Sequence, residues 1–222
     1  MKVAIILSGC GVYDGSEIQE SVLTFLCLNQ AGHEYSCFAP NKDQHHVINH
    51  MTGEEINQSR NCMIESSRIS RGEISDLSTY NPSNFDGLII IGGFGAAKNL
   101  TQWAFSGKDG GIEDLVKQAI INTLDNKKKL IAMCMGPTVV AKALENSNYS
   151  AILSVGSVNE SSPYDIKSIH EQMESLGATC KNASKTEIVS DFDLGITSVP
   201  AYMMDANIND IYLNIKQGID QL

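Results

Sequence analysis

The chain lacks the usual means of pinning a scaffold together. Its six cysteines, at 10, 27, 37, 62, 134 and 180, are scattered with no C-x-x-C pair and no Cys/His ligand spacing. That argues against a disulfide framework or structural zinc, and no H-E-x-x-H or other metal pattern occurs. Cationic residues are scarce: 16 Lys and Arg stand against 26 Asp and Glu, for a net charge of -10. Nucleic acid and anionic membrane surfaces are therefore poor partners. No apolar run is long enough to span a bilayer. Lys2 leads straight into the strand-like VAIIL and a glycine-rich turn, so no secretory leader is expected, and reduced thiols point to a cytoplasmic location. What is present is a 222-residue chain, 42% hydrophobic and 19% charged, with only 5 prolines. It suits one large domain with a real core.

Short apolar runs alternate with helical segments. Val3 to Leu7, Tyr35 to Ala39, Asp86 to Ile91 and Lys129 to Met133 read as strands, and Ala151 to Val155 and Glu187 to Ser190 as further candidates. Helices are expected over Glu17 to Gln30, Gly111 to Asp125, about Tyr164 to Leu176, and Asp205 to Leu222. Ile196 to Val199 is expected to pair as a hairpin with Glu187 to Ser190. Residues 41 to 80 form a mostly polar excursion with a short helix around Cys62 to Arg68. The alternation predicts a three-layer α/β/α sandwich around a mainly parallel sheet.

The strip Lys128 to Thr138, KKLIAMCMGPT, carries the strongest chemical signal. Its apolar run fits a buried parallel strand, and Pro137 fits the first turn of a helix. Cys134 then sits on the bend between them, the thiol form of a nucleophile elbow. Free N–H groups and the helix dipole favour a thiolate there. The alternative is one more small core residue at a strand end.

Ligands of open α/β sheets bind beyond the carboxyl ends of the strands. Three turns fall at that rim: Ser8 to Gly11, Gly92 to Gly95, and Cys134 to Gly136. Gly93 and the N–H of Met135 are candidate oxyanion donors, with Gly92 beside them. The Gly92-Gly93 pair equally suits a tight turn and nothing more. Glu17 and Glu20, three apart, would share a helix face toward the rim. Acidic residues there also simply complement the dipole, with Ser16 as a cap. No histidine follows Cys134. His46 and His50 are placed to approach from the excursion, and His170 is expected to face solvent. Cys10, beside a glycine-rich rim turn, is a candidate second reactive thiol, with a packed loop cysteine the better fit. The third glycine of a dinucleotide fingerprint and the ending of a phosphate loop are both missing, so no cofactor is expected.

These residues also carry a resemblance. SGCGVYDGSEIQE, FAP, VINH, SRNCMIESSRISRGEI, IGGFGAAKNL, the elbow and SVPAYM occur in order from Ser8 to Met203. Together the chain resembles the ElbB proteins, described as isoprenoid-biosynthesis or sigma cross-reacting proteins with an amidotransferase-like domain. They lie within the PfpI/ThiJ superfamily. The resemblance implies a flavodoxin-like, class I glutamine amidotransferase-like fold, a homodimer, and glutathione-independent conversion of glyoxal to glycolate. By position it places the family's cysteine on Cys134, its thiol-bonding glutamate on Glu20 with Glu17 adjacent, and the oxyanion glycine on Gly93. The elbow reads Cys-Met-Gly-Pro where ElbB proteins more often show Cys-Ile-Ala-Pro, and Met135 speaks against proteolysis.

Two functions follow as expectations. One is a cofactor-free enzyme acting on a small 2-oxoaldehyde through a Cys134 hemithioacetal. The other is a thiol-based redox-sensing or regulatory protein using the same sulfur. An ammonia-supplying amidotransferase would want a late histidine and glutamate, and no such pair follows Val140.

Overall fold

The computed structural model describes residues 1–222. Its elements run β1 (Lys2–Ile6), α1 (Ile18–Gln30), β2 (Glu34–Ala39), α2 (Cys62–Ile69), β3 (Ile74–Asp76), β4 (Gly87–Ile90), α3 (Trp103–Ser106) and α4 (Asp114–Asp125). There follow β5 (Lys129–Met133), α5 (Gly136–Leu144), β6 (Ile152–Leu153), α6 (Ile166–Ser175), β7 (Thr179–Cys180), β8 (Val189–Asp191), β9 (Ile196–Val199) and α7 (Ile208–Ile219).

Seven strands form the main sheet in the order β3-β2-β1-β4-β5-β9-β8. All pairs are parallel except β8 with β9. One row crosses the sheet through Cys37, Ile5, Ile89, Ile131 and Thr197. β1, β4 and β5 are apolar without alternation because helices cover both faces, and their central residues are fully buried. α5 goes further: all nine of its residues are buried. Its Lys142 carries its ammonium to Glu145 at 2.7 Å and to the Lys108 carbonyl at 2.7 Å. α7 starts with a reciprocal capping box between Asn207 and Asp210.

Several expected elements shift. β3 lies inside the polar excursion. Its ISD triplet is too short and too polar to announce a strand, and it forms because β2 offers an edge at Cys37 to Ala39. The Ala151 to Val155 candidate contributes only Ile152–Leu153, which pairs with β7 in a separate two-stranded sheet. The hairpin of β8 with β9 forms as expected. Glu17 is the N-cap of α1, not its first turn, and accepts the Glu20 N–H at 2.6 Å. Ser16 is thereby displaced as the cap, and its hydroxyl accepts the Ser8 N–H at 2.8 Å. His170 is buried, not solvent-facing, and accepts the Val155 N–H at 3.3 Å.

Candidate active site

The three rim turns do converge, and glycine makes it possible. A Cβ on Gly95 would fall 2.4 Å from Ser8 Oγ, and one on Gly15 would fall 2.2 Å from the Cys10 nitrogen. Gly93, at φ +90°, would place a Cβ 2.5 Å from both the Glu17 nitrogen and the Gly15 carbonyl oxygen. Asn99, buried behind the turn, donates to the carbonyls of Ser8 and Asp14 at 2.8 Å each and accepts the His45 N–H at 2.9 Å. The β1–α1 loop and the glycine turn after β4 are thus fastened to one another.

Cys134 occupies the elbow with φ +54°, a left-handed conformation that a residue with a Cβ adopts only when its surroundings impose it. Its N–H donates to the Val199 carbonyl at 2.8 Å, holding the bend against β9. From α1, the Glu20 carboxyl faces it. Glu20 has no exposed surface. Oε1 accepts the Tyr202 N–H at 3.4 Å, and Oε2 is buried without a hydrogen-bond partner. The two side chains meet across the space left by Gly92, where a Cβ would sit 2.4 Å from Cys134 Cβ and 2.6 Å from Glu20 Oε2. The backbone N–H groups of Gly93 and Met135 lie near the sulfur and favour its anion.

The electrostatics correct one expectation. Burial first, then the neighbouring Glu17, pushes Glu20 from an ordinary 4.5 up to about 8. Burial, and then Glu20, pushes the Cys134 thiol well above its ordinary range, against the pull of the Gly93 and Met135 N–H groups. A helix terminus supplies about 0.3–1 kcal/mol, whereas full desolvation shifts a pKa by several units at about 1.4 kcal/mol each. Desolvation wins, so at neutral pH the pair keeps its protons and the sulfur rests as a thiol.

The other candidates separate. Glu17 spends its carboxylate on the helix cap, and Glu20 is the acid that faces the sulfur. His50 reaches the rim, yet its Nε2 accepts the Tyr13 N–H at 3.2 Å and its Nδ1 contacts the Ile48 carbonyl at 3.1 Å. A proton on Nδ1 satisfies both contacts, and the ring braces the loop at Gly11. His45 and His46 pack with Phe105. Burial and the nearby Glu65 raise the Cys10 thiol, which speaks against a second reactive cysteine. Tyr202 was not legible as a site residue. Tyr202 lies 182 positions from the carboxylate it contacts, and only the left-handed Ala201 at φ +48° aims its N–H there.

A mainly parallel α/β sheet packed between helices, with the elbow after an inner strand, is the amidotransferase-like fold that DJ-1 and ThiJ/PfpI proteins share. Drosophila melanogaster DJ-1beta and glyoxalase III from Candida albicans share the fold, with TM-scores of 0.54 and 0.61 and 15% identity each. No protein-family model matches the chain. It is 35% identical over 213 residues to the mitochondrial ES1 protein homolog of Rattus norvegicus, spanning 95% of this chain and 79% of that protein. The mitochondrial glutamine amidotransferase-like class 1 domain-containing protein 3 of Homo sapiens is also 35% identical, over 95% of this chain and 78% of its own length. A solved isoprenoid biosynthesis protein with an amidotransferase-like domain, from Ehrlichia chaffeensis, superposes with a TM-score of 0.88 at 32% identity, covering 99% of this chain and 97% of that one. The chain belongs to this ES1/ElbB family. The cytoplasmic location expected from thiol usage is overturned, because the rat and human relatives are mitochondrial proteins by name.

Proposed function

We propose that the chain is a cofactor-independent glyoxalase that converts glyoxal, and less readily methylglyoxal, to the 2-hydroxy acid. The observation that carries this reading is the Cys134–Glu20 pair, a nucleophile and a fully buried carboxyl set against each other beneath the backbone of the Gly92-Gly93 turn. Cys134 sulfur adds to one aldehyde carbon, and the electron pair of that C=O moves to an oxygen held by the Gly93 and Met135 N–H groups. The thiol proton passes through Glu20 to that oxygen, completing a hemithioacetal. Glu20, as carboxylate, then takes the hydrogen from the sulfur-bearing carbon while the second carbonyl oxygen gains a proton, giving an enediol. The first oxygen gives up its hydroxyl proton in exchange as its C=O re-forms, and Glu20 returns the hydrogen to the neighbouring carbon. The product is a glycolyl thioester. Water cleaves its C–S bond, giving glycolate and returning the proton to sulfur. Glyoxal plus water thus becomes glycolate with no external oxidant.

The active unit in this proposal is a homodimer. Ile18, Val22 and Leu26 recur every fourth residue along α1 and are all exposed, leaving an apolar stripe for a second copy. Glycolate formation from glyoxal by wild type and Cys134→Ser tests the enzymatic reading: equal rates would sink it.

A second reading, a peroxide-responsive thiol, draws on the same N–H groups, which would hold the oxygens of a sulfinate. Selective oxygen addition at Cys134 under mild peroxide, with negligible glyoxal turnover, would favour it.

A further inference from the structure

Tyrosine hydroxyls in part-buried positions are ordinarily satisfied. Here Tyr80 bonds Thr123, Tyr149 bonds Asp125, Tyr202 bonds Gln19 and Tyr212 bonds Gln30. Tyr164 is part-buried too, but its hydroxyl makes no hydrogen bond to the protein; its backbone N–H donates to Ser162 Oγ at 2.9 Å and its carbonyl accepts the Ile166 N–H at 3.0 Å.

Its position is fixed. Ser162 Oγ donates to the Met203 carbonyl at 2.6 Å, and the Asp205 N–H donates to the Ser161 carbonyl at 3.0 Å. The Tyr164 loop is thereby tied to the segment whose Tyr202 N–H reaches Glu20. Its ring packs edge-on against Phe94, with centroids 6.1 Å apart, and Phe94 directly follows the oxyanion candidate Gly93. Burial first, then the charges that Cys134 and Glu20 would carry, pushes the Tyr164 hydroxyl up to about 12, so it remains a donor at neutral pH.

In the hemithioacetal the Gly93 and Met135 N–H groups serve only the oxygen on the sulfur-bearing carbon. The second oxygen of a dicarbonyl has no donor among them. We propose that the Tyr164 hydroxyl donates a hydrogen bond to that second oxygen, making it a substrate-binding residue that selects 1,2-dicarbonyls over simple aldehydes. The inference rests on the glyoxalase reading above. It extends that reading by naming what recognises the distal half of the substrate.

The test compares full-length wild type with Tyr164→Phe, which keeps the ring and removes the hydroxyl. Three quantities are read: kcat/KM for glyoxal, inhibition by acetaldehyde, which has no second oxygen, and the rate of Cys134 alkylation by iodoacetamide. The expected result is a fall of about 10- to 100-fold in kcat/KM for glyoxal, with the other two within about twofold of wild type. Unchanged kcat/KM, or a parallel loss of acetaldehyde binding and thiol reactivity, would overturn the Tyr164 role and leave the glyoxalase reading standing. A wild type that forms no glycolate would instead overturn the glyoxalase reading, and this inference with it.

Discussion

Glu20 and Cys134 face one another across the missing side chain of Gly92, one on α1 and the other at the end of β5. Oε1 accepts the Tyr202 N–H, and Oε2 lies against Gly92 beside the Cys134 side chain. A buried carboxyl raised in pKa beside a buried thiol is an arrangement poised to trade a proton with it. The proposed chemistry gives that arrangement a use.

The pH dependence follows from Glu20. The enediol step needs its carboxylate, and burial holds that group protonated up to about 8. The proposed activity therefore rises with pH through about 8 and is weak below neutrality. Initial rates of glycolate formation from pH 6 to 10 should show that rise in wild type. Glu20→Gln should be at least about 100-fold slower at every pH, the size typical of a lost general base. A flat profile in wild type would remove Glu20 as the base.

The same shift predicts a stability effect of opposite use. Glu20 titrates near 8 when folded against 4.5 in an open chain, so the folded form holds a proton that the unfolded form releases between those values. Its stabilising contribution is complete below about 4.5 and is lost as pH rises through 8. Relative to wild type, Glu20→Gln should melt at a similar temperature at pH 5 and about 5 °C or more higher at pH 9. Scanning calorimetry at the two pH values reads the difference directly.

Gly92 is predicted to accept no side chain. Its alanine variant must push apart Cys134 Cβ at 2.4 Å, Glu20 Oε2 at 2.6 Å and the Met133 carbonyl at 2.9 Å. Overpacking of this kind costs about 1–3 kcal/mol. Because the displaced groups are the proposed reacting pair, glyoxal turnover should fall about tenfold or more even where the variant stays folded. Chemical denaturation and turnover on the same sample separate the two effects.

Asn99 is predicted to be the fastening of the rim. Asn99→Ala strands the carbonyls of Ser8 and Asp14 and the N–H of His45. At about 1–3 kcal/mol per buried orphan, partly relieved by water, the loss should be about 2–4 kcal/mol. Urea unfolding measures it.

Much of this was legible because it is local. The elbow needed only a strand-length apolar run, one cysteine and Gly136-Pro137, all within eleven residues of sequence. The parallel sheet followed from apolar runs without alternation. What escaped depends on packing between distant segments. Spacing alone placed Glu17 and Glu20 on one face and could not tell that one would cap the helix while the other turned inward. β3 exists because β2 has an open edge, not because ISD favours a strand. The raised thiol was hidden for the same reason: the dipole at the elbow is written in the sequence, but the desolvation that overrides it comes from α1, the glycine turn and the Tyr202 segment closing together.

The most direct test is to mix the protein with glyoxal, quench in acid within a turnover, and map the mass of the peptide bearing Cys134. One glyoxal-derived increment is expected on that peptide in wild type, with accumulation in Glu20→Gln and absence in Cys134→Ser. Glycolate produced at the wild-type rate with no adduct on Cys134, or by the serine variant, would contradict the hemithioacetal route.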